Sequence, residues 1–124
     1  MSWTIDFLPN EQILRVTTHG TMDLALIKQM AREALDAGLA HQALRYLIDH
    51  RDMIPALSSE DIFDLPKINA DMGVGRTMRV AIVFSPDSPR AEDFFYYDVR
   101  NLSKGSSNIR QFSDLQQALD WLLT

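Results

Sequence analysis

The stretch MRVAIVF, residues 78–84, decides the fold class of this chain. It is apolar throughout apart from Arg79, and such a run is typical of a central strand of a parallel sheet, which is buried on both faces. Parallel neighbours have to be joined by crossover connections, which are usually helices. The run therefore predicts an α/β fold with helices between the strands on either side of it.

Strands and helices alternate along the rest of the chain. Alternating or short apolar runs predict further strands at residues 3–7, 13–18, 45–49 and 108–112. Gly20 is expected to end the second strand and Thr21 to cap the first helix, which Gly38 ends. Capping residues predict that the later helices begin at Ser58 or Ser59, at Ser88 and at Ser113.

The resulting order is β-β-α-β-α-β-α-β-α within one domain, residues 1–124. A hairpin followed by alternating helices and strands predicts a mostly parallel sheet. Its amino-terminal edge strand should be antiparallel, and the helices should pack on the sheet.

Composition limits the possible partners. The formal net charge of −5 opposes general attraction to nucleic acid or to anionic membranes. The chain has no cysteine, which excludes disulfides and thiolate metal sites. It has neither a signal-peptide pattern at Met1–Asp6 nor an apolar run long enough to span a membrane. A cytoplasmic protein is expected.

Short patterns at matching places in this order resemble the SpoIIAA-like superfamily, which includes the STAS domains of anti-sigma-factor antagonists. The patterns are Gly20-Thr21, Leu47-Ile48-Asp49, residues 79–83, Phe112-Ser113-Asp114 and residues 118–122. The last of them is similar to small, free-standing bacterial members. The resemblance implies the same fold and a role in binding a protein partner.

The resemblance also points to two serines. The family's phosphorylation switch lies in an aspartate–serine–serine–glycine–leucine run, which falls on Leu57-Ser58-Ser59-Glu60-Asp61 here. Only the serines match, and Glu60 and Asp61 would repel a phosphate at this helix start. A helix cap is the favoured interpretation of the serines. The alternative is that Ser58 or Ser59 is a phosphoacceptor.

The run Asp49-His50-Arg51-Asp52 follows the third predicted strand. We expect a solvated loop there, at the carboxyl end of the sheet where α/β folds place ligands, so these residues are candidates for the rim of a pocket. A metal site is not predicted, because a stable one needs three or more converging ligands and no partner motif is present. No cofactor is predicted either.

A run of aromatic residues, Phe94-Phe95-Tyr96-Tyr97, spans more than one helical turn. Its rings cannot all face one core, so at least one should lie on the surface. Together with Arg90, the side chains of Phe94, Phe95 and Tyr97 are candidates for a protein interface or an apolar ligand site.

Three functions remain in competition, and none of them is enzymatic, because no catalytic motif is found. The leading hypothesis is a cytoplasmic interaction or regulatory module that self-associates as a homodimer or binds an unidentified protein. The alternative is a binding protein for a small apolar or amphipathic ligand, since six methionines and the aromatics could line an adaptable cavity. The third is a phosphorylation-controlled anti-sigma-factor antagonist.

Overall fold

The computed structural model describes residues 2–73, 77–88, 92–93 and 108–124. Their strands form one sheet in the order β1-β2-β3-β4-β5. The strands are β1 (Trp3–Leu8), β2 (Ile13–Asp23), β3 (Arg45–Ala56), β4 (Arg79–Val83) and β5 (Ile109–Phe112). β1 runs antiparallel to β2, and the other neighbours are parallel, which confirms the predicted fold class.

The helices cover both faces of this sheet. They are α1 (Leu24–His41), α2 (Ser59–Asp71) and α3 (Leu115–Leu123) within the described residues. Glu92 and Asp93 are also helical, and the rest of the helix predicted to begin at Ser88 lies outside the described residues, as do Arg90, Phe94, Phe95 and Tyr97.

Strand alternation divides the core into two layers, because successive side chains of a strand point to opposite faces. On one face, Leu14, Val16 and Ile48 pack with Met30 of α1 and Ile62 of α2. The opposite face has its own cluster, which consists of Ile13, Leu47, Ala81, Val83, Ala118 and Leu122. The α1 and α2 layer holds the candidate site described below.

The second strand is longer than predicted. Gly20 does not end β2, although its φ of +75° is in the region that favours glycine. Thr21 lies in the strand opposite Ile54 of β3, and the cap of α1 is Asp23, whose carboxylate accepts from Leu26 N at 2.9 Å. Pairing with a long parallel partner thus overrides the local signals for a helix start.

The third strand is also longer than predicted, and the expected loop at residues 49–52 is wrong. β3 continues to Ala56, and Asp49 and His50 are buried within it while Arg51 and Asp52 are exposed. β4 pairs with Arg45–Asp49 of β3, and beyond Asp49 the described pairing of β3 is with β2. Within this part of β3, Met53 is buried in the core of the α1 and α2 layer.

Candidate functional site

A cavity of about 90 Å³ lies between the sheet and the helices α1 and α2. Most of its lining is aliphatic, with Ile48, Val80 and Ile82 from the sheet and Ile27 and Leu35 from α1. The polar lining residues that the structure describes are Tyr46, His50, Asn69 and Gln111. An apolar cavity with a few converging polar groups is the usual form of a small-molecule site.

A β-bulge in β3 begins at His50, which faces the cavity by the same alternation as Tyr46 and Ile48. The register changes from Thr17 opposite Asp49 to His19 opposite Asp52, so β3 advances three residues while β2 advances two. The extra residue of β3 lies opposite Thr18, which is fully buried. Bulges redirect side chains and often adjoin functional sites.

The hydroxyl of Thr18 holds both sides of the bulge together. Thr18 Oγ1 donates to the backbone carbonyl of Asp49 at 3.1 Å and lies 2.7 Å from His50 Nδ1. A hydroxyl has one proton and Asp49 O can only accept, so both contacts are hydrogen bonds only when Thr18 donates to Asp49 O and the N–H of Nδ1 donates to Thr18 Oγ1. The hydrogen bonds therefore assign the proton of the neutral imidazole to Nδ1, which donates to Thr18 Oγ1, and leave Nε2 as an acceptor.

Burial keeps His50 uncharged at neutral pH. Its side chain is removed from water, and this desolvation lowers the pKa of His50 to about 4, although the nearby Asp49 charge acts in the opposite direction. A hydrogen-bonded, neutral imidazole is consistent with an otherwise apolar cavity.

Asp49 makes its contacts separately from the cavity. Burial by itself would raise the pKa of Asp49, but hydrogen bonds from Arg51 and the charges of Arg51 and Arg15 outweigh it and lower that pKa. The guanidinium of Arg51 donates through Nε to Oδ1 at 2.9 Å and through Nη2 to Oδ2 at 2.8 Å. This two-point ion pair fixes the strand next to the bulge.

The other polar lining groups differ in the hydrogen bonds that they can offer a ligand. The side-chain amides of Asn69 and Gln111 can both donate and accept. Tyr46 packs over Gly38 of α1, where any larger side chain would collide with its ring and hydroxyl, and burial raises the pKa of Tyr46. The imidazole is held by the contact of its Nδ1 with Thr18, which lies outside the cavity lining.

The pair formed by Thr18 and His50 has the composition of a nucleophile and its base, but its setting does not suit catalysis. A nucleophile must reach a substrate, whereas Thr18 is fully buried and directs its proton to a backbone carbonyl. The pair positions the imidazole instead.

The two serines predicted at the second helix lie at its start. Ser58 Oγ accepts from Asp61 N at 3.0 Å, and Asp61 Oδ2 accepts from Ser58 N at 3.1 Å. Ser58 O also accepts the hydrogen bond from Ile62 N, at 3.1 Å. Ser58 is therefore the cap of α2 in a reciprocal capping box, and Ser59 is the first residue of the helix. Phosphorylation of either serine stays a prediction.

The structure brings together only part of the predicted pocket rim. His50 lines the cavity, whereas Asp49, Arg51 and Asp52 are not among its lining residues. Sequence reasoning missed Thr18 and Gln111, which are buried polar residues. Thr18 follows Val16 and Gln111 follows Ile109 at the spacing of two residues that keeps strand side chains on one buried face. A polar residue at such a buried position was the signal in the sequence that could have identified both.

The described residues show neither a metal-ligand cluster nor a membrane-spanning helix. Among residues 2–73, 77–88, 92–93 and 108–124, no three His, Cys, Asp or Glu side chains are grouped so that they could hold a metal ion. In the same part of the chain, no helix is long and apolar enough to cross a membrane.

The capping box predicts unequal effects of the two serines on stability. Ser58→Ala should lower the free energy of unfolding by about 1 kcal/mol, because it leaves Asp61 N without its acceptor. Ser59→Ala is the matched control and should have a smaller effect, since Ser59 is not the cap. Urea unfolding of both variants measures the difference, and equal losses would contradict the assignment of the cap.

The lowered pKa of His50 predicts that the folded chain loses stability in mild acid. Its pKa is lower in the folded chain than the 6.5 of a free imidazole, so the unfolded chain binds the proton more readily between pH 6.5 and about 4. The free energy of unfolding should fall by about 3 kcal/mol as the pH drops through that window. The lowered pKa of Asp49 acts only below its ordinary 3.8.

Urea unfolding at several pH values checks this dependence in wild type and in His50→Gln. The variant should lose most of the change between pH 6.5 and 4.5. His19→Gln, at an exposed histidine of β2, is the control and should keep it because His50 is intact. An unchanged pH dependence in His50→Gln would contradict the assignment.

The comparisons with known proteins agree with this fold. A sequence model of the SpoIIAA-like family matches residues 13–123. No curated protein matches the chain. An uncharacterised protein of the DUF3478 family from Shewanella loihica, described as having a SpoIIAA-like fold, is similar with 23% identity and a TM-score of 0.58. The similarity covers 97% of this chain and 91% of that one.

Two proteins named as anti-sigma factor antagonists share the fold. The one from Mycobacterium paratuberculosis has 15% identity and a TM-score of 0.61, over 97% of this chain and 92% of that chain. The antagonist SpoIIAA in its unphosphorylated form has 9% identity and a TM-score of 0.57, over 96% of each chain. With a family match that spans nearly its whole length, this chain belongs to the SpoIIAA-like family.

Proposed function

We propose that this chain is a non-enzymatic regulatory module that acts by binding a protein partner. The observation that carries the proposal is the fold, which it shares over nearly its whole length with proteins named for antagonising another protein. The resemblance to free-standing bacterial members supports a place in the bacterial cytoplasm.

The surface that supports this proposal is the end of β3 together with the start of α2, residues 54–63. Ile54 is 56% exposed and Phe63 is 49% exposed, and only a short connection separates the strand from the helix. Aromatic and large apolar side chains supply much of the binding energy of protein interfaces. The capping box of Ser58 and Asp61 lies within the same segment and holds the first turn of α2 in place.

Two more specific versions of this proposal rest on the sequence. The first is a homodimer formed through the aromatic run with Phe94, Phe95 and Tyr97. The second is an antagonist whose partner binding is controlled by phosphate on Ser58 or Ser59. The charges of Glu60 and Asp61 in the first turn of α2 weaken the second form, because they would repel the phosphate.

Site-specific photo-crosslinking in cells tests the protein-partner proposal. A photoreactive amino acid at position 63 should give a discrete adduct with a partner, because this position lies in the proposed interface. The matched control is position 117, which is exposed on α3 at the opposite face of the sheet and should give no such adduct. Ile54→Ser, combined with the crosslinker at 63, should reduce the yield several-fold by removing a second exposed apolar side chain of the proposed interface.

The adduct mass separates the possible partners. An adduct with a different protein supports the leading form, and an adduct of twice the chain mass supports self-association. A phosphate on Ser58 or Ser59 would be detected in the same mass measurement. Identical adduct patterns at positions 63 and 117, or no adduct at either, would contradict the proposal.

The cavity supports a second candidate function, the binding of a small and mainly apolar ligand. Its volume of about 90 Å³ is several times the roughly 10–15 Å³ that a single water needs. Its lining combines aliphatic side chains with the imidazole of His50, which suits recognition of a compact molecule. A cavity that takes up no small apolar compound would rule this candidate out.

A further inference from the structure

The imidazole of His50 has a second ring nitrogen that is available to a bound molecule. His50 is 8% exposed and lines the cavity, while its Nδ1 is engaged by Thr18 at 2.7 Å. In the described part of the chain, no hydrogen bond joins Nε2 to another residue. Nε2 lies on the side of the ring away from Thr18 and is the nitrogen left for a ligand.

The contact with Thr18 determines whether Nε2 donates or accepts a hydrogen bond. Because Thr18 directs its proton to Asp49 O, Nδ1 carries the imidazole proton and Nε2 carries a lone pair. A buried acceptor with this fixed role favours a molecule that donates a hydrogen bond, and it penalises one that presents only an acceptor. Thr18 itself is not among the cavity lining residues, so it acts through His50.

The charge of the surroundings restricts the ligand further. The lining residues that the structure describes include no Asp, Glu, Lys or Arg. From α1 the lining is aliphatic or thioether, and from α2 it is Leu65 and Asn69. The polar residues that the sheet adds besides His50 are Tyr46 of β3 and Gln111 of β5. The charged group near His50 is Asp49, its neighbour on β3, which is paired with Arg51. A charged ligand would lose its hydration without gaining an opposite charge.

We propose that this cavity binds a compact, uncharged, mainly apolar molecule that donates one hydrogen bond, from a hydroxyl or an N–H group, to His50 Nε2. The volume of about 90 Å³ is below the roughly 150 Å³ of an apolar cavity that takes up benzene in another protein, but this cavity is partly open to solvent, so a single ring can enter it without being fully enclosed. This inference rests on the ligand-binding function proposed for the same cavity and specifies the chemistry of the ligand.

Phenol and toluene are the probes that test it, because they have nearly the same shape and differ by a hydroxyl in place of a methyl group. Each is titrated into the full chain, and the methyl resonance of Ile48 reports binding in the cavity by NMR. In wild type and in His50→Phe, which keeps a ring but removes both nitrogens, the ratio of the two affinities is compared. The ratio should shift against phenol by about three- to tenfold in the variant.

Two further variants keep the test independent of a simple loss of folding. Ile82→Val alters the aliphatic lining and should change the affinity for both probes alike. Thr18→Val removes the acceptor for Nδ1, so the imidazole is no longer held as an acceptor at Nε2. The ratio should again shift against phenol although residue 18 does not line the cavity.

The outcomes separate this inference from the function on which it rests. If toluene binds but His50→Phe and Thr18→Val change both affinities equally, the hydrogen bond to Nε2 is wrong while the cavity remains a ligand site. If neither probe binds the wild-type chain, the ligand-binding function fails and this inference fails with it. Tighter binding of benzoate than of phenol would overturn the requirement for an uncharged molecule.

Discussion

The hydrogen-bonded bulge at Thr18 and His50 is the constraint on which the rest of the site depends. The extra residue in β3 would leave an irregular ladder in the middle of the molecule if nothing replaced its hydrogen bonds. The buried hydroxyl of Thr18 does so, because it contacts both the carbonyl of Asp49 and the ring of His50. One polar side chain on β2 therefore fixes both the backbone of β3 at the bulge and the position of the proton on the imidazole.

Strand alternation at Asp49 and His50 separates two opposite electrostatic environments. Asp49 is paired with Arg51 and lies near the charge of Arg15, and alternation places it on the face of Leu47, which packs in the α3 layer. His50, the next residue, is neutral and lines the cavity in the other layer. The charge needed to order this part of β3 is thus kept away from the cavity, and the cavity remains suited to an uncharged molecule.

Much of the fold could be predicted from the sequence because its signals are local and periodic. The run at residues 78–84 and the capping signals gave the correct strand and helix order where the chain is described, although the caps of α1 and α3 are Asp23 and Asp114 instead of Thr21 and Ser113. The ends of β2 and β3 could not be predicted, because Gly20, Thr21 and the polar run at Asp49–Asp52 carry loop and cap signals that pairing between two long strands overrides. His50 was named as a pocket residue, but its partner Thr18 is distant in sequence, so only the folded chain joins them.

The protonation state of the His50 ring is the first measurement to make, because it shows whether Thr18 holds the imidazole proton on Nδ1. Long-range ¹H–¹⁵N NMR of the imidazole distinguishes the two neutral forms and the charged form. We expect a neutral ring with its proton on Nδ1 at pH 7, and the same form at pH 5.5. A proton on Nε2, or a charged ring at pH 5.5, would contradict the role of Thr18 and remove the acceptor on which the ligand chemistry depends.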